Sequence, residues 1–253
     1  MKKNLTKEKL SKGGVAAGVL IQEPAIQVAE ILGLLGFDWL LIDCEHSPMS
    51  IESVLQLVMA SELRGITPLV RVPQNLPEII LRYMDVGAMG VMIPGIASEE
   101  EAQRAVRAVK YPPLGERGLA GVRVADFGLS GPLGEYVKTA NSETMILGLV
   151  ESREGVENIE KILGVEGIDG VFIGTNDLSK SLGVAGQTTH PLVLAAIDRI
   201  LAAGNKTGKP VGGAVRPGET PKQYIQKGFR LVSTIVASLV TTAGKQFLES
   251  ARG

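Results

Sequence analysis

The chain has 253 residues, 45% of them apolar and 21% charged, with a formal net charge of -1. Such a composition suits an ordinary globular protein, and the near-neutral balance offers no electrostatic footprint for nucleic acid or an anionic membrane. Cys44 is the one cysteine, which excludes an intrachain disulfide and predicts a reducing, cytoplasmic compartment.

The N-terminal MKKNLTKEKL is basic and polar and lacks the apolar centre of a signal peptide. No apolar run approaches the ~20 residues of a membrane span. GVAAGVLI (Gly14 to Ile21) predicts a strand, and Glu23-Pro24 opens a helix that Gly36 closes. WLLID (Trp39 to Asp43) predicts the second strand. Ser50 caps the helix IESVLQLVMASELRG, which ends at Gly65. TPLVRV (Thr67 to Val72) predicts the third strand, with a helix over Pro77 to Val86, and GVMIPG (Gly90 to Gly95) the fourth. Ser98 and Glu101 form a capping-box pattern for a helix reaching Val109.

YPPLGERGLAGVRVADFG, rich in Pro and Gly, predicts an irregular segment. TMILGLV (residues 144–150) predicts the fifth strand, REGVENIEKILG a helix, and GVFIG (Gly170 to Gly174) the sixth strand. A long helix is expected from His190-Pro191 to Ala203. PVGGAV (Pro210 to Val215) predicts the seventh strand, Pro221 to Lys227 a helix, RLVSTIV (Arg230 to Val236) the eighth strand, and a C-terminal helix follows.

Eight short apolar strands alternating with helices, without a break in composition, predict one α/β domain over residues 1–253. The length fits a (β/α)8 TIM barrel of ~250 residues. A doubly wound open sheet is the alternative, but no G-x-G-x-x-G follows the first strand.

In a barrel, function sits where the strands end. The second strand ends on Asp43, with Glu45 and His46 beyond it; the third ends on Arg71; the fifth on Glu151; the sixth runs into a loop, Gly174-Thr175-Asn176-Asp177. Strand starts are blander, so the polar residues gather at one rim. Glu151 and Asp177 would repel there unless neutralised, by a divalent cation with oxygen ligands or by separate arginines such as Arg153. Arg71 needs an anionic partner, either a nearby Asp or Glu or a bound carboxylate or enolate. Asp43 hydrogen-bonded to one ring nitrogen of His46 would fix its tautomer and leave the other to move a proton. His190, before a proline, reads as a structural helix start. Cys44 lies among acids, which disfavours a thiolate nucleophile and makes it a small buried side chain. No lysine ends a predicted strand, which disfavours a Schiff base.

DWLLIDCEHSP, LVRVP, DVGAMGVMIPGIAS, VKYPPLGERG, ESREGVENIEKI and GIDGVFIGTNDLS together resemble the HpcH/HpaI family of metal-dependent aldolases, within the phosphoenolpyruvate/pyruvate barrel superfamily. The likeness runs in order from about Gly18 to Gly183, with a weaker echo to the C-terminus. It implies a modified barrel in a homo-hexamer whose last helix is exchanged between paired subunits. It further implies carbon-carbon cleavage or formation between a 2-keto acid and an aldehyde through a pyruvate enolate. By the same likeness, Glu151 and Asp177 match ligands of Mg2+, with Mn2+ or Co2+ as alternatives, and Arg71 the arginine on the keto oxygen. His46 matches the acid/base histidine with Asp43 as its partner, and Gly174, Thr175 and Asn176 the backbone facing the substrate carboxylate.

The sequence departs from the family where Leu149 stands in place of a glutamine, Cys44 in place of a glycine, and Thr175-Asn176 in place of Pro-Ala. The last strand also lacks an aspartate near its end. An oxaloacetate-type decarboxylase or a CoA-ester lyase using the same enolate is the alternative activity. The Pro112 to Gly118 loop reads either as part of a substrate rim, within one chain or across a subunit boundary, or as a rigid turn.

Overall fold

A computed structural model describes residues 1–252. Its centre is a closed barrel of eight parallel strands in sequential order. They are β1 (Ala16–Ile21), β2 (Trp39–Asp43), β3 (Thr67–Arg71), β4 (Gly90–Ile93), β5 (Met145–Val150), β6 (Gly170–Ile173), β7 (Val211–Ala214) and β8 (Leu231–Ile235). The ring closes where β1 pairs with β8, Ala16 opposite Leu231. The expected (β/α)8 barrel is therefore the fold.

The helices are α1 (Leu5–Ser11), α2 (Ile26–Leu34), α3 (Ile51–Arg64), α4 (Pro77–Asp85), α5 (Glu99–Val109), α6 (Leu133–Glu143), α7 (Arg153–Glu157), α8 (Ile159–Gly164), α9 (Thr175–Ser181), α10 (Pro191–Thr207), α11 (Pro221–Lys227) and α12 (Val236–Arg252). Start signals behave as the residue chemistry dictates. The Ser50 and Ser98 hydroxyls accept from the third backbone N–H of their helices. The His190 ring caps α10 by accepting from Leu192 N–H, so it is structural. Gly65 ends α3 in the left-handed region at φ 72°.

Two expectations need correction, those for REGVENIEKILG and for Gly174 to Asp177, and two helices, α1 and α6, come in addition. REGVENIEKILG is two short helices broken at Asn158, not one. The segment after Tyr111 holds a 3-10 turn over Arg123–Gly128 and is followed by α6. The basic N-terminus forms α1, tied across the strand starts: Thr6 Oγ1 donates to Asp38 O and Asn4 Nδ2 to Met89 O. Gly174 to Asp177 is not a loop; Gly174 caps α9 and the other three residues form its first turn.

Two cores result. The larger lies between strands and helices and is rich in Val, Ile and Leu. The smaller fills the barrel with Trp39, Leu41, Leu69, Met92, Leu147, Leu149, Phe172 and Leu231 among others. Trp39 and Phe172 meet edge to face there, with ring centroids 6.2 Å apart. Glycines make that possible. A Cβ on Gly18 would lie 2.1 Å from the Trp39 ring, and one on Gly212 would lie 2.4 Å from the Phe172 ring.

Candidate active site

The strands all run the same way, so their C-terminal ends share one mouth. A cavity of about 300 Å³ opens there, lined by Gln22, His46, Arg71, Glu151 and the Gly174–Asp177 turn over an apolar floor that includes Leu41, Met92, Leu149 and Phe172. His46, Arg71, Glu151, Gly174, Thr175, Asn176 and Asp177 are thus brought together. Asp43 is fully buried and does not line the cavity; it sits behind Arg71.

β2 and β3 pair with Asp43 opposite Arg71. That register allows a two-pronged ion pair, Arg71 Nε to Asp43 Oδ1 at 2.9 Å and Nη2 to Oδ2 at 2.7 Å. Gln22 Nε2 donates to the same carboxylate at 2.9 Å, as do the backbone N–H groups of Glu45 at 3.1 Å and His46 at 3.2 Å. Burial pushes the Asp43 carboxyl up, but Arg71, Gln22 and the His46 N–H outweigh it and hold it below its ordinary range. Burial opposes the Arg71 charge, and pairing with Asp43 overrides it in turn.

The expected carboxylate-to-imidazole dyad is not formed. Asp43 takes the backbone N–H of His46, not its ring. Five donors on one buried carboxylate explain this, because both oxygens are already occupied. The acid beside the ring is Glu45, with Oε2 3.8 Å from His46 Nε2 and 3.4 Å from Arg71 Nε. Those are ion-pair distances without hydrogen-bond geometry, so Glu45 Oε2 stays buried and unbonded. Burial raises the Glu45 carboxyl above its ordinary value, with Arg71 and His46 opposing and Asp43 and Asp177 adding to the rise.

Glu151 follows the end of β5 and its Oε1 accepts from Gly95 N–H at 2.8 Å. Its other oxygen accepts no hydrogen bond among the described residues. Burial raises this carboxyl as well; the Gly95 N–H opposes, and Glu45 and Asp177 add to the rise. Asp177 stands exposed in the first turn of α9. Among the described residues neither Glu151 nor Asp177 forms an ion pair with Arg153 or any other arginine. The mouth therefore holds mutually repelling carboxylates, one with an orphaned buried oxygen and one with an unused oxygen. That donor set fits a hard cation. Among the described residues no three His, Cys, Asp or Glu side chains cluster at ligating distance. Glu151 and Asp177 would leave the remaining positions to water or substrate oxygens.

Cys44 is 8% exposed, and burial pushes its thiol up to about 12, which makes it an inert filler. Leu149 is buried in the cavity wall and offers no hydrogen bond. The Pro112 to Gly118 loop lines no part of this mouth: it folds back on α4, where the buried Arg117 pairs with Asp85 at 2.8 Å and stacks over Tyr111. Gln22 and Gly95 were not singled out in the sequence. Gln22 directly follows β1, so inspection of every strand end finds it; the Gly95 contact is a backbone N–H and carries no residue signal.

A family model described as HpcH/HpaI aldolase/citrate lyase matches residues 19–239. The hydroxypyruvate/pyruvate aldolase of Roseobacter denitrificans is 38% identical over 241 residues, 94% of each chain. The 5-keto-4-deoxy-D-glucarate aldolase of Citrobacter koseri is 39% identical over 204 residues, 81% of this chain and 79% of its own. The crystal structure of an HpcH/HpaI aldolase/citrate lyase family protein from Burkholderia cenocepacia superposes with a TM-score of 0.94 at 35% identity, covering 99% of this chain and 100% of that one. With matches of that extent over the barrel and its mouth, the chain belongs to the HpcH/HpaI aldolase/citrate lyase family.

Proposed function

We propose that the protein is a divalent-metal-dependent carbon-carbon lyase that cleaves or forms 4-hydroxy-2-oxo acids or 2-keto-3-deoxy acids through a pyruvate enolate. The observation that carries this reading is Arg71, held in one orientation by Asp43, in the same mouth as the unneutralised Glu151 and Asp177. Relatives named as a pyruvate aldolase and a keto-deoxy sugar acid aldolase support the substrate class.

Glu151 and Asp177 would hold the metal, Mg2+ first and Mn2+ or Co2+ as alternatives. When bound, such an ion polarises a keto acid's oxygens as a Lewis acid. Arg71 has Nε and Nη2 occupied by Asp43; the rest of its guanidinium is free to donate to the keto oxygen, where negative charge grows as the enolate forms. Thr175 and Asn176 lie in the first turn of α9, where backbone N–H groups have no intrahelical acceptor. With Gly174 they suit the substrate carboxylate. His46 is exposed at the rim and takes the proton from the 4-hydroxyl. The C3–C4 bond then breaks, its electron pair passes to the enolate and the aldehyde leaves. Reprotonation at C3 yields pyruvate. Asp43 acts as a positioning residue for Arg71.

The same proposal includes a homo-oligomer, a hexamer by family likeness, with the last helix exchanged between subunits. The almost wholly exposed α12, carrying Leu239, Val240, Phe247 and Leu248, supports it. It also includes a cytoplasmic location, in keeping with one cysteine. No helix among the described residues is long and apolar enough to cross a membrane.

The test is exchange of pyruvate methyl protons in deuterated buffer, with and without Mg2+ or Mn2+, alongside pyruvate release from a panel of 4-hydroxy-2-oxo acids. Exchange that needs the metal and disappears in Glu151→Gln is expected. Absence of both exchange and cleavage sinks the reading, and loss of CO2 from oxaloacetate without aldol cleavage replaces it by a decarboxylase.

A further inference from the structure

Another cavity, of mixed apolar and charged lining, lies at the opposite end of the barrel. It measures about 260 Å³ and is bordered by α1 and by the starts of β5 to β8, with Lys7, Lys209, Arg230 and Asp169 as its charged residues. Lys110 is buried close by and shares the Thr144 carbonyl with Lys7, each at about 3 Å or less.

The charges at this end do not balance. Lys7 pairs with Asp169 at 3.0 Å. Lys209 Nζ has only the Val165 carbonyl, at 2.9 Å. Arg230 reaches the carbonyls of Leu10 and Gly208 through Nη2, both at a long 3.3 Å, and its Nε and Nη1 have no acceptor among the described residues. Lys110 Nζ sits on the carbonyls of Asn141 and Thr144, both at 2.7 Å. Carbonyl oxygens satisfy N–H groups but do not neutralise a charge. The other carboxylate acting on Lys209 is Glu166, which is exposed. Around the cavity four cations face Asp169 and Glu166, and the nearby Glu143 carboxylate is taken by the Asn4 backbone N–H. Burial holds Lys110 down to about 8 and also lowers Lys209, as expected of cations desolvated without full compensation.

We propose that this N-terminal mouth is a binding site for a small phosphate-type oxyanion, held by Lys209 and the free edge of Arg230. A planar guanidinium beside an ammonium matches an oxyanion by charge and by hydrogen-bond geometry. The cavity has room for an inorganic phosphate or a short phosphate ester. Such a ligand would join the C-terminal end of α1, through Leu10 and Ser11, to the starts of β7 and β8. It would therefore stabilise the barrel and not compete with substrate at the other mouth.

Calorimetric titration and thermal unfolding of the full chain with inorganic phosphate, at ionic strength matched with chloride, test this. One saturable site per chain at millimolar phosphate or below is expected, with a rise in Tm. Lys209→Gln and Arg230→Gln should each weaken Kd by about tenfold or more. Lys209→Arg should retain binding, which separates charge loss from misfolding, and Arg71→Lys should leave it unchanged. Tighter binding of glycerol phosphate identifies an ester as the ligand, and equal or weaker binding identifies the free ion. No saturable binding overturns the proposal. So does binding of malonate without phosphate, or binding lost in Arg71→Lys and kept in Lys209→Gln.

Discussion

Arg71 shows how a single side chain acquires a function from its neighbours. Alone, an arginine at a strand end is as consistent with an internal ion pair as with a ligand site. The ion pair is realised, with Nε and Nη2 spent on Asp43, and the same residue lines the cavity. Lysine at this position would keep the charge but lose the fork that fixes its direction. Arg71→Lys is therefore expected to lower the rate of metal-dependent pyruvate proton exchange by about 10²-fold or more, with the fold retained by circular dichroism. A rate within about threefold of wild type would remove Arg71 from the chemistry. The polar strand ends were legible in the sequence because each followed an apolar run. The pairing among them was not: Asp43 is three residues from His46 but 28 from Arg71, and the β2–β3 register decides for Arg71.

Among the elements, all eight strands were legible from short apolar runs bounded by polar or glycine positions, to within two residues at either end. The helices that escaped notice lack those cues. α1 is short and basic, and α6 follows a Pro- and Gly-rich stretch without a capping side chain. α9 begins at Thr-Asn-Asp, residues that equally suit a loop. α3, α10 and α11 end on left-handed glycines, which turn the chain sharply toward the next strand. Gly18 and Gly212 have a different cause, the bulk of Trp39 and Phe172 inside the barrel, which only three-dimensional packing discloses. Gly18→Ala places a methyl carbon 2.1 Å from the fully buried Trp39 ring. Overpacking of this kind costs about 1–3 kcal/mol, which in a chain of this size predicts a Tm lower by roughly 2–12 °C. An unchanged Tm would mean that the ring has room to move.

The molecule as a whole carries two features that no single element explains. One is the cationic floor of the barrel. Lys110 is held down to about 8 by burial, against an ordinary value near 10.5. Below the lower value both folded and unfolded chains hold the proton, and above the higher one neither does. Between them the unfolded chain holds more, so this lysine makes stability rise with pH from about 8 to about 10.5. Lys110→Met should flatten that rise, by up to about 3 kcal/mol across the interval, measured by urea unfolding at a series of pH values. Its absolute stability falls separately, because the Asn141 and Thr144 carbonyls lose their donor. An undiminished slope in the variant would assign the pH dependence to other groups.

The other feature is α12. Its hydrophobic side chains lie largely in solvent, Val240 at 66% and Phe247 at 73% exposure, and only Val236 of its residues is buried. A helix of 17 residues is marginal alone in water and normally takes its stability from a packed apolar face. Within one chain, α12 meets β1 and β8, and every described residue after Val236 is exposed. A second copy of the chain is the proposed cover, which makes α12 a joint between barrels. Light scattering should therefore give a mass above that of one 26.7 kDa chain, and Tm should rise with protein concentration. The paired change Val240→Glu and Phe247→Glu puts charges where the partner surface must be dry, so the mass should fall and the concentration dependence of Tm disappear. Neither residue lines the cavity at the C-terminal mouth, so any activity lost with the mass would show that the site needs the assembled form. A wild-type chain that runs as a monomer, or a variant that keeps its full mass, would leave α12 without this role.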